Sequence, residues 1–345
     1  MISPGTKSKS QDLTPLIELV QDEMQMVEDW LATNLIDDNP FVGELLKQIF
    51  QAGGKRLRPL ICLLSGKATS KNNEIGRLHI ILAVLTELIH TASLVHDDVI
   101  DSSDLRRGKE TINKKWNERV AVLMGDLLFA QASICLARLM NPPIVGIYGQ
   151  VLGDLCAGEI KQMRHQFNIE ADWDTYIQKS IGKTASLFSA ASHSAAILNG
   201  KDNDTVLALK SYGLNLGICF QIVDDMLDIT GDFDQKNKAG GVLKPVGGDL
   251  RNGVLTAPVL YALGEGGKDS QRLRKLIEDR TVVEDAGNQE GLSIISRSGA
   301  IEKTAELAQK YADDACRDIS VLPDSPYKEG LCSLTEFIMS RAKPN

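Results

Sequence analysis

Two stretches of the chain carry aspartates at the same spacing. Leu94 to Asp101 reads LVHDDVID and Ile222 to Asp228 reads IVDDMLD, so D-D-x-x-D occurs as Asp97, Asp98, Asp101 and again as Asp224, Asp225, Asp228. On a helix, side chains three and four residues apart share a face, so each motif projects carboxylates from one side of one helix. Like charges at that spacing repel, and both motifs follow apolar stretches, HTASLV and GICFQIV. Burying several carboxylates with nothing to neutralise them is prohibitive. A hard divalent cation with oxygen ligands fits best, because Mg²⁺ takes one or two carboxylates, keeps several waters and shares substrate phosphates. Two such clusters facing each other would form a jaw for Mg²⁺ around a diphosphate. One cluster alone reads more readily as a solvated helix face; its repetition 127 residues on, again in apolar flanks, argues against that.

A phosphate jaw also needs cations. Gly53 to Pro59 reads GGKRLRP and packs Lys55, Arg56 and Arg58 behind two glycines, just before a helical pattern. It is not a P-loop: Ile49 stands where that motif needs its first glycine, and no Ser or Thr follows the lysine. Backbone amides near a helix start, joined to fixed cations, still make an anion site. Arg106 and Arg107 follow the first cluster, and arginines can fork onto two phosphate oxygens where lysine cannot. Lys183-Thr184 lies in IGKTASL, and Lys244 lies in a glycine-rich segment. Singly, each has an ordinary alternative as a snorkelling or solvent-facing side chain. Their order around the two clusters is what suggests a shared site.

Histidine offers a rival. His96-Asp97, with His79 and His90 upstream, is similar to the ligand set of helical HD-type metal phosphohydrolases, which use imidazole as a ligand. That alternative leaves Asp224, Asp225, Asp228 and GGKRLRP without a role. His90 lies two helical turns before Asp97 and can share its face, whereas His79, His165 and His193 read as ordinary core or surface residues.

The elements that must position these groups are helical. Apolar residues recur at three- and four-residue spacing over Leu13–Leu31, Leu78–Val95, Thr205–Leu227, Ile301–Ile319 and Tyr327–Arg341, and no alternating stretch is long enough to predict a strand. Breaks at Asp37–Pro40, Ser70–Asn73, Asn141–Pro143, Asn199–Gly200 and Pro323–Pro326 are of helix-to-helix length. Gly231 to Gly253, with six glycines and mixed charge, reads as a long lid-like loop. The expected fold class is all-α: a flexible tail over residues 1–10 and one helical domain over 11–345.

The 345 residues hold 38 Lys+Arg against 46 Asp+Glu, a net −8 that argues against a nucleic-acid partner. Six cysteines without paired spacing fit a reducing compartment and no zinc module. Val120 to Met140 is long enough to span a bilayer, but its central Asp126 is costly there, and it reads as a core helix. Residues 1–10 lack the apolar core of a secretory signal and are shorter than a usual transit peptide. No transmembrane segment is expected.

Taken together, GGKRLRP, HDD-x-x-D with RRG, GKTASL, FQIVDDMLD and KP-x-G-x-DL resemble the trans-prenyl diphosphate synthase family, in its order, over about Leu13 to Arg341. The resemblance implies an all-α fold around a deep central cavity, a homodimer, and head-to-tail condensation of isopentenyl diphosphate with an allylic diphosphate. It implies that Asp97, Asp98, Asp101, Asp224, Asp225 and Asp228 hold Mg²⁺ on the allylic diphosphate, with Arg106, Lys183, Thr184, Gln221 and Lys244 also contacting it. Lys55, Arg58, His90 and Arg107 would hold isopentenyl diphosphate. The chain departs from the family pattern at Leu243, where glycine is frequent, and at Val254, where many members carry lysine. Neither change touches an aspartate. Relatives that act as non-catalytic regulatory subunits lose aspartates; this chain keeps all six.

Product length is the finer expectation. Short-chain members often place aromatics four or five residues before the first aspartate, whereas Ser93 and Ala92 stand there, with Ile89 a turn below. Small side chains leave a tunnel open past fifteen carbons. GDLLFAQAS, GEIKQ and NG-x-LTAP resemble the cyanobacterial and plastid long-chain branch, which implies a product of about forty to fifty carbons of solanesyl type, for the plastoquinone side chain. The same resemblance implies a bacterial cytoplasm or a plastid, and a hydrocarbon product implies transient membrane contact on release. A farnesyl or geranylgeranyl product is the alternative if another side chain closes the tunnel.

Overall fold

The longest apolar-periodic stretches become the longest helices. In the computed structural model, which describes residues 12–35, 39–51, 53–231 and 246–342, Leu78–Val95 lies within Arg77–Ile100 and Thr205–Leu227 within Asn203–Thr230. The two late patterns become Ala300–Asp318 and Pro326–Ser340. Helix starts follow side-chain chemistry. Asn117, Asn141, Asp172, Asp202 and Ser325 each accept a hydrogen bond from the backbone N–H three residues on, satisfying a donor that the first turn leaves unpaired. The expected tail over 1–10 lies outside the described residues.

Two elements differ from expectation. The pattern over Leu13–Leu31 divides into Thr14–Glu18 and Gln21–Thr33, with Val20 leaving helical geometry at φ −134°. Leu16, Val20, Met24, Val27 and Leu31 are nevertheless all buried, so the apolar stripe survives the break. Among the described residues the sheet is one antiparallel pair, Leu105–Arg106 with Lys109–Glu110. Its two connecting residues, Arg107 (φ 52°) and Gly108 (φ 77°), both take positive φ, as a tight hairpin turn of matching twist requires.

One apolar cluster runs from Leu13 to Met339. Arg77–Ile100, here the first aspartate helix, is buried along most of its length, and Ser186–Leu198 packs against both it and Asn203–Thr230, the second aspartate helix. That shared neighbour fixes where the two aspartate motifs lie.

Three helices, Arg77–Ile100, Glu118–Arg138 and Asn203–Thr230, are long and apolar enough to cross a membrane by length and composition. The most apolar window of the first is 78% buried, but that of Glu118–Arg138 only 33%. This corrects the expectation that Val120–Met140 is a core helix. Ala121, Met124, Leu128, Ala132 and Cys135 face inward, while Val122, Leu123 and Ile134 form an exposed apolar face.

Candidate active site

The six aspartates do not behave alike. In each motif the middle carboxylate is buried and already engaged: Asp98 is 5% exposed and Asp225 2%. Asp98 Oδ1 accepts from Arg106 Nε at 2.7 Å, with Arg106 Nη2 also 2.7 Å from the same oxygen in an ion pair. Asp225 accepts from Tyr176 Oη at 2.6 Å and from Gln221 Nε2 at 2.8 Å, one bond on each oxygen. The outer members, Asp97, Asp101, Asp224 and Asp228, are half-buried or exposed. The six aspartates expected to hold metal thus differ in setting: Asp98 and Asp225 are buried in hydrogen bonds with neighbouring side chains, while Asp97, Asp101, Asp224 and Asp228 are more accessible. Arg106 is likewise tied to Asp98 before any phosphate is present.

Lys183 reaches the first motif from a π-helical turn, Ile181–Ala185. π turns recur at functional sites because the extra residue re-aims a side chain. The turn lies close against Pro142–Arg164, and Gly182 permits the approach: a Cβ there would sit 2.9 Å from the Asp154 carbonyl oxygen. Lys183 Nζ donates to Glu159 at 3.0 Å. Burial alone would push this lysine down, but Glu159, Asp97 and Asp101 together hold it above its ordinary value. Thr184 Oγ1 donates to Gln221 Oε1 at 2.6 Å, so Thr184, Gln221, Asp225 and Tyr176 form one hydrogen-bonded chain.

The two motifs converge. The Asp101 and Asp225 carboxyls are both raised by burial and, to a lesser degree, by the shared neighbour Asp249, whose backbone N–H donates to Asp228 Oδ2 at 3.0 Å. Arg341 Nη2 stands 3.5 Å from Asp224 Oδ1, with its guanidinium over the Phe220 ring. The segment expected to be a lid is fixed at its far end: Gly248–Arg251 is a helical turn, Leu250 is buried, and Gly247 N–H donates to the Asp228 carbonyl at 2.7 Å. Residues 232–245, including Leu243 and Lys244, lie outside the described residues.

A second group of charges has a different character. Arg58 is 9% exposed, lies over the Phe188 ring and is lowered to about 10 by burial, against the pull of Glu87. Its Nε has no hydrogen-bond partner among the described residues. Arg107 crosses Gly54 so closely that a Cβ there would meet its Nη1 at 2.9 Å. His90 is held well below its ordinary value by burial and by Arg58, Arg107, Arg106 and Arg56, so it is neutral. Lys55 is exposed, with its ammonium 4.9 Å from the centre of the Phe337 ring. His90 and Arg107 line one cavity together with Arg56, Glu87, Asp98 and Arg106, and Arg58 lies within electrostatic reach of both.

The rival histidine site does not form. His79 Nε2 pairs with the Ala195 carbonyl, His96 Nε2 with the Val122 carbonyl, and His90 lies among arginines. Among the described residues, no three His, Cys, Asp or Glu side chains group closely enough to hold an ion by themselves.

The chain resembles known proteins in both sequence and fold. The polyprenyl synthetase family profile covers residues 39–290. A relative, solanesyl diphosphate synthase 1, chloroplastic, of Arabidopsis thaliana, is 40% identical over 95% of this chain and 79% of its own length. The chain belongs to the polyprenyl synthetase family. Among solved structures, the decaprenyl diphosphate synthase of Rhodobacter capsulatus superposes with TM-score 0.88 at 32% identity, over 96% of this chain and 100% of that one. A polyprenyl synthase of Caulobacter crescentus, solved with calcium and isoprenyl diphosphate, also gives 0.88 and 32%, over 98% and 100%.

In this family member, the residues expected to set product length lie on the first aspartate helix. Ala92 and Ile89 are fully buried, and Ser93 is half-buried with its hydroxyl on the His90 carbonyl at 2.9 Å. About 16 Å below Asp97 along the axis, at 1.5 Å per residue, Thr86 Oγ1 meets Tyr148 Oη. That bond is 2.6 Å long and buried.

Glu159, Tyr176, Glu87 and Arg341 were not singled out from sequence. Each is a lone residue in an ordinary context, and its significance lies in a partner tens of residues away.

Burial also predicts a pH signature. In metal-free protein, burial pushes the Asp225 carboxyl up to about 7. A raised carboxyl favours folding in its protonated form, a contribution complete below its ordinary value and lost as pH rises through about 7. Relative to wild type, Asp225→Asn should therefore gain melting temperature from about pH 5 to about pH 8 in the presence of EDTA. A constant difference across that range would contradict this.

Proposed function

We propose that this trans-prenyltransferase joins isopentenyl diphosphate head to tail to an allylic diphosphate and extends it to about nine isoprene units. The observation that carries the proposal is the pairing of two unlike anion sites. One has outward carboxylates around Lys183; the other has a buried guanidinium, Arg58, whose Nε lacks a partner among the described residues. A diphosphate can bind the second through cations alone, whereas the first needs metal.

Asp97, Asp101, Asp224 and Asp228 are the residues that would hold Mg²⁺, which when bound neutralises the allylic diphosphate as it departs. Lys183 adds a fixed cation on the same side, oriented by Glu159. Arg106, held by Asp98, and the Gln221 amide, oriented by Thr184 and Asp225, add donors that need no rearrangement at the moment of reaction. Lys55, Arg58, His90 and Arg107 hold the isopentenyl diphosphate, so that its double bond faces the allylic carbon. The allylic carbon–oxygen bond breaks, a carbon–carbon bond forms, and a proton leaves to the released diphosphate, restoring an alkene.

Isothermal titration tests the assignment. Isopentenyl diphosphate should bind in EDTA, while an unreactive allylic thiodiphosphate should bind only when Mg²⁺ is supplied. Equal metal dependence for both ligands, or binding of neither, would overturn it.

The finer features follow from the same site. The long-chain product is supported by small side chains at Ala92 and Ser93 and by the solanesyl and decaprenyl names of the relatives. Such a product serves a plastoquinone-type side chain and leaves through transient membrane contact. The chloroplastic name of the Arabidopsis relative supports a plastid or cyanobacterial setting. All six aspartates are present, which favours a catalytic over a regulatory subunit.

A second copy of the chain covers the exposed face of Glu118–Arg138, where Leu123 is 67% exposed. Contiguous apolar patches of this kind mark interaction surfaces. Sedimentation should give twice the chain mass, and Leu123→Glu with Ile134→Glu should give the single chain. A monomeric wild type would contradict the homodimer.

A further inference from the structure

We infer that a partly buried ion triad, Glu28–Arg56–Glu87, positions the cation pocket, holding Lys55, Arg58 and Arg107 in place before the anion arrives. The inference rests on the assignment of that pocket to isopentenyl diphosphate. Arg56 sits in the middle of GGKRLRP and lines one cavity with Glu87, His90 and Arg107. Its backbone takes the left-handed region (φ 49°), which is costly for a residue with a side chain and persists only where surroundings enforce it. Arg56 Nη1 donates to Glu87 Oε1 at 2.7 Å, and Nε to Glu28 Oε1 at 2.7 Å. The Arg56 and Glu87 side chains are 13% and 6% exposed, the Glu28 side chain 43%.

The placement of Glu87 gives the triad its consequence. Glu87 lies on the first aspartate helix, three residues before His90 and ten before Asp97. One guanidinium therefore ties the GGKRLRP strap to that helix and to Gln21–Thr33. Glu87 is also the acid that draws on Arg58 and Arg107 electrostatically, while those two repel each other. Both arginines lie beside the neutral His90 in a partly buried space, where their mutual repulsion would otherwise spread them.

Two physical effects of removing Glu87 have opposite signs. As a bare countercharge, its loss would make the pocket more positive and would tighten diphosphate binding. As a positioning residue, its loss would free the strap and misplace the cations. The triad predicts the second. With allylic substrate saturating, Glu87→Gln and Arg56→Lys should each raise KM for isopentenyl diphosphate by about tenfold or more, a coupling of about 1.4 kcal/mol. With isopentenyl diphosphate saturating, KM for the allylic substrate should stay within about twofold, because the carboxylate site is untouched. The double variant should be no worse than the worse single one. Glu28→Gln, at the more exposed end, should have a smaller effect in the same direction.

Arg56→Lys keeps the charge and cannot reach both carboxylates, so it carries the expectation even if Glu87→Gln fails to fold. A lowered or unchanged KM for isopentenyl diphosphate in either foldable single variant would overturn the triad's role, as would additive effects in the double. A wild type that shows no saturation by isopentenyl diphosphate would instead overturn the assignment of the pocket, and the triad's role with it.

Discussion

Asp97→Ala should lower the rate of chain elongation by about a thousandfold or more, with the fold intact. Asp97 is one of the outward carboxylates, and burial raises its carboxyl to about 6 against the pull of Lys183. Removing it takes away a ligand for the ion that neutralises the departing diphosphate. Metal stabilisation of such a leaving group is worth several kcal/mol, and about 4 kcal/mol corresponds to about a thousandfold in rate. The fold should tolerate the change, since a half-buried acid with like-charged neighbours is removed. Asp98→Asn should behave differently in kind. Asp98 holds Arg106 by a hydrogen bond and an ion pair, so its loss should raise KM for the allylic diphosphate while leaving the Mg²⁺ concentration for half activity unchanged. An Asp97→Ala enzyme with near wild-type rates would contradict the metal assignment. A matching shift in Mg²⁺ dependence for Asp98→Asn would contradict the division between outer and middle aspartates.

Ser93→Phe should shorten the main product from about forty to fifty carbons to about fifteen or twenty. Ser93 lies one helical turn below Asp97, about 6 Å along the axis, so a benzyl group there meets the tail early in elongation. Ala92→Phe tests the same space from a fully buried position. Melting temperature separates the two physical cases. In a closed core, overpacking costs about 1–3 kcal/mol and lowers the melting temperature. In a tunnel, the ring occupies open space, stability changes little and product length falls. A destabilised Ser93→Phe with unchanged product length would mean that the floor lies elsewhere. The Thr86–Tyr148 pair is then the next place to substitute.

Local periodicity made the helices legible, and the breaks at Asn141–Pro143 and Pro323–Pro326 fell at helix starts. The aspartate motifs and GGKRLRP were legible because their chemistry repeats over a few residues. What stayed hidden depends on long-range pairing. Nothing local distinguishes Asp98 from Asp97; the difference is that Arg106 folds back onto one of them. Tyr176 lies 49 residues from Asp225, and Glu87 lies 31 from Arg56, so no spacing rule could join either pair. The apolar sequence of Glu118–Arg138 read as core because hydropathy records composition and not which face is covered. The short helix Gly248–Arg251 was hidden for the opposite reason: glycine-rich composition suggests a loose loop, yet contacts to Asp228 and Asn288 hold its start.

The most direct test of the central claim is the product ladder of the purified chain alone. It would be supplied with Mg²⁺, labelled isopentenyl diphosphate and, in separate reactions, dimethylallyl, geranyl, farnesyl or geranylgeranyl diphosphate. The expected result is all-trans polyprenyl diphosphate ending near forty to fifty carbons and lost on chelation. No elongation with any primer, or elongation that survives chelation, would contradict a self-sufficient metal-dependent long-chain synthase.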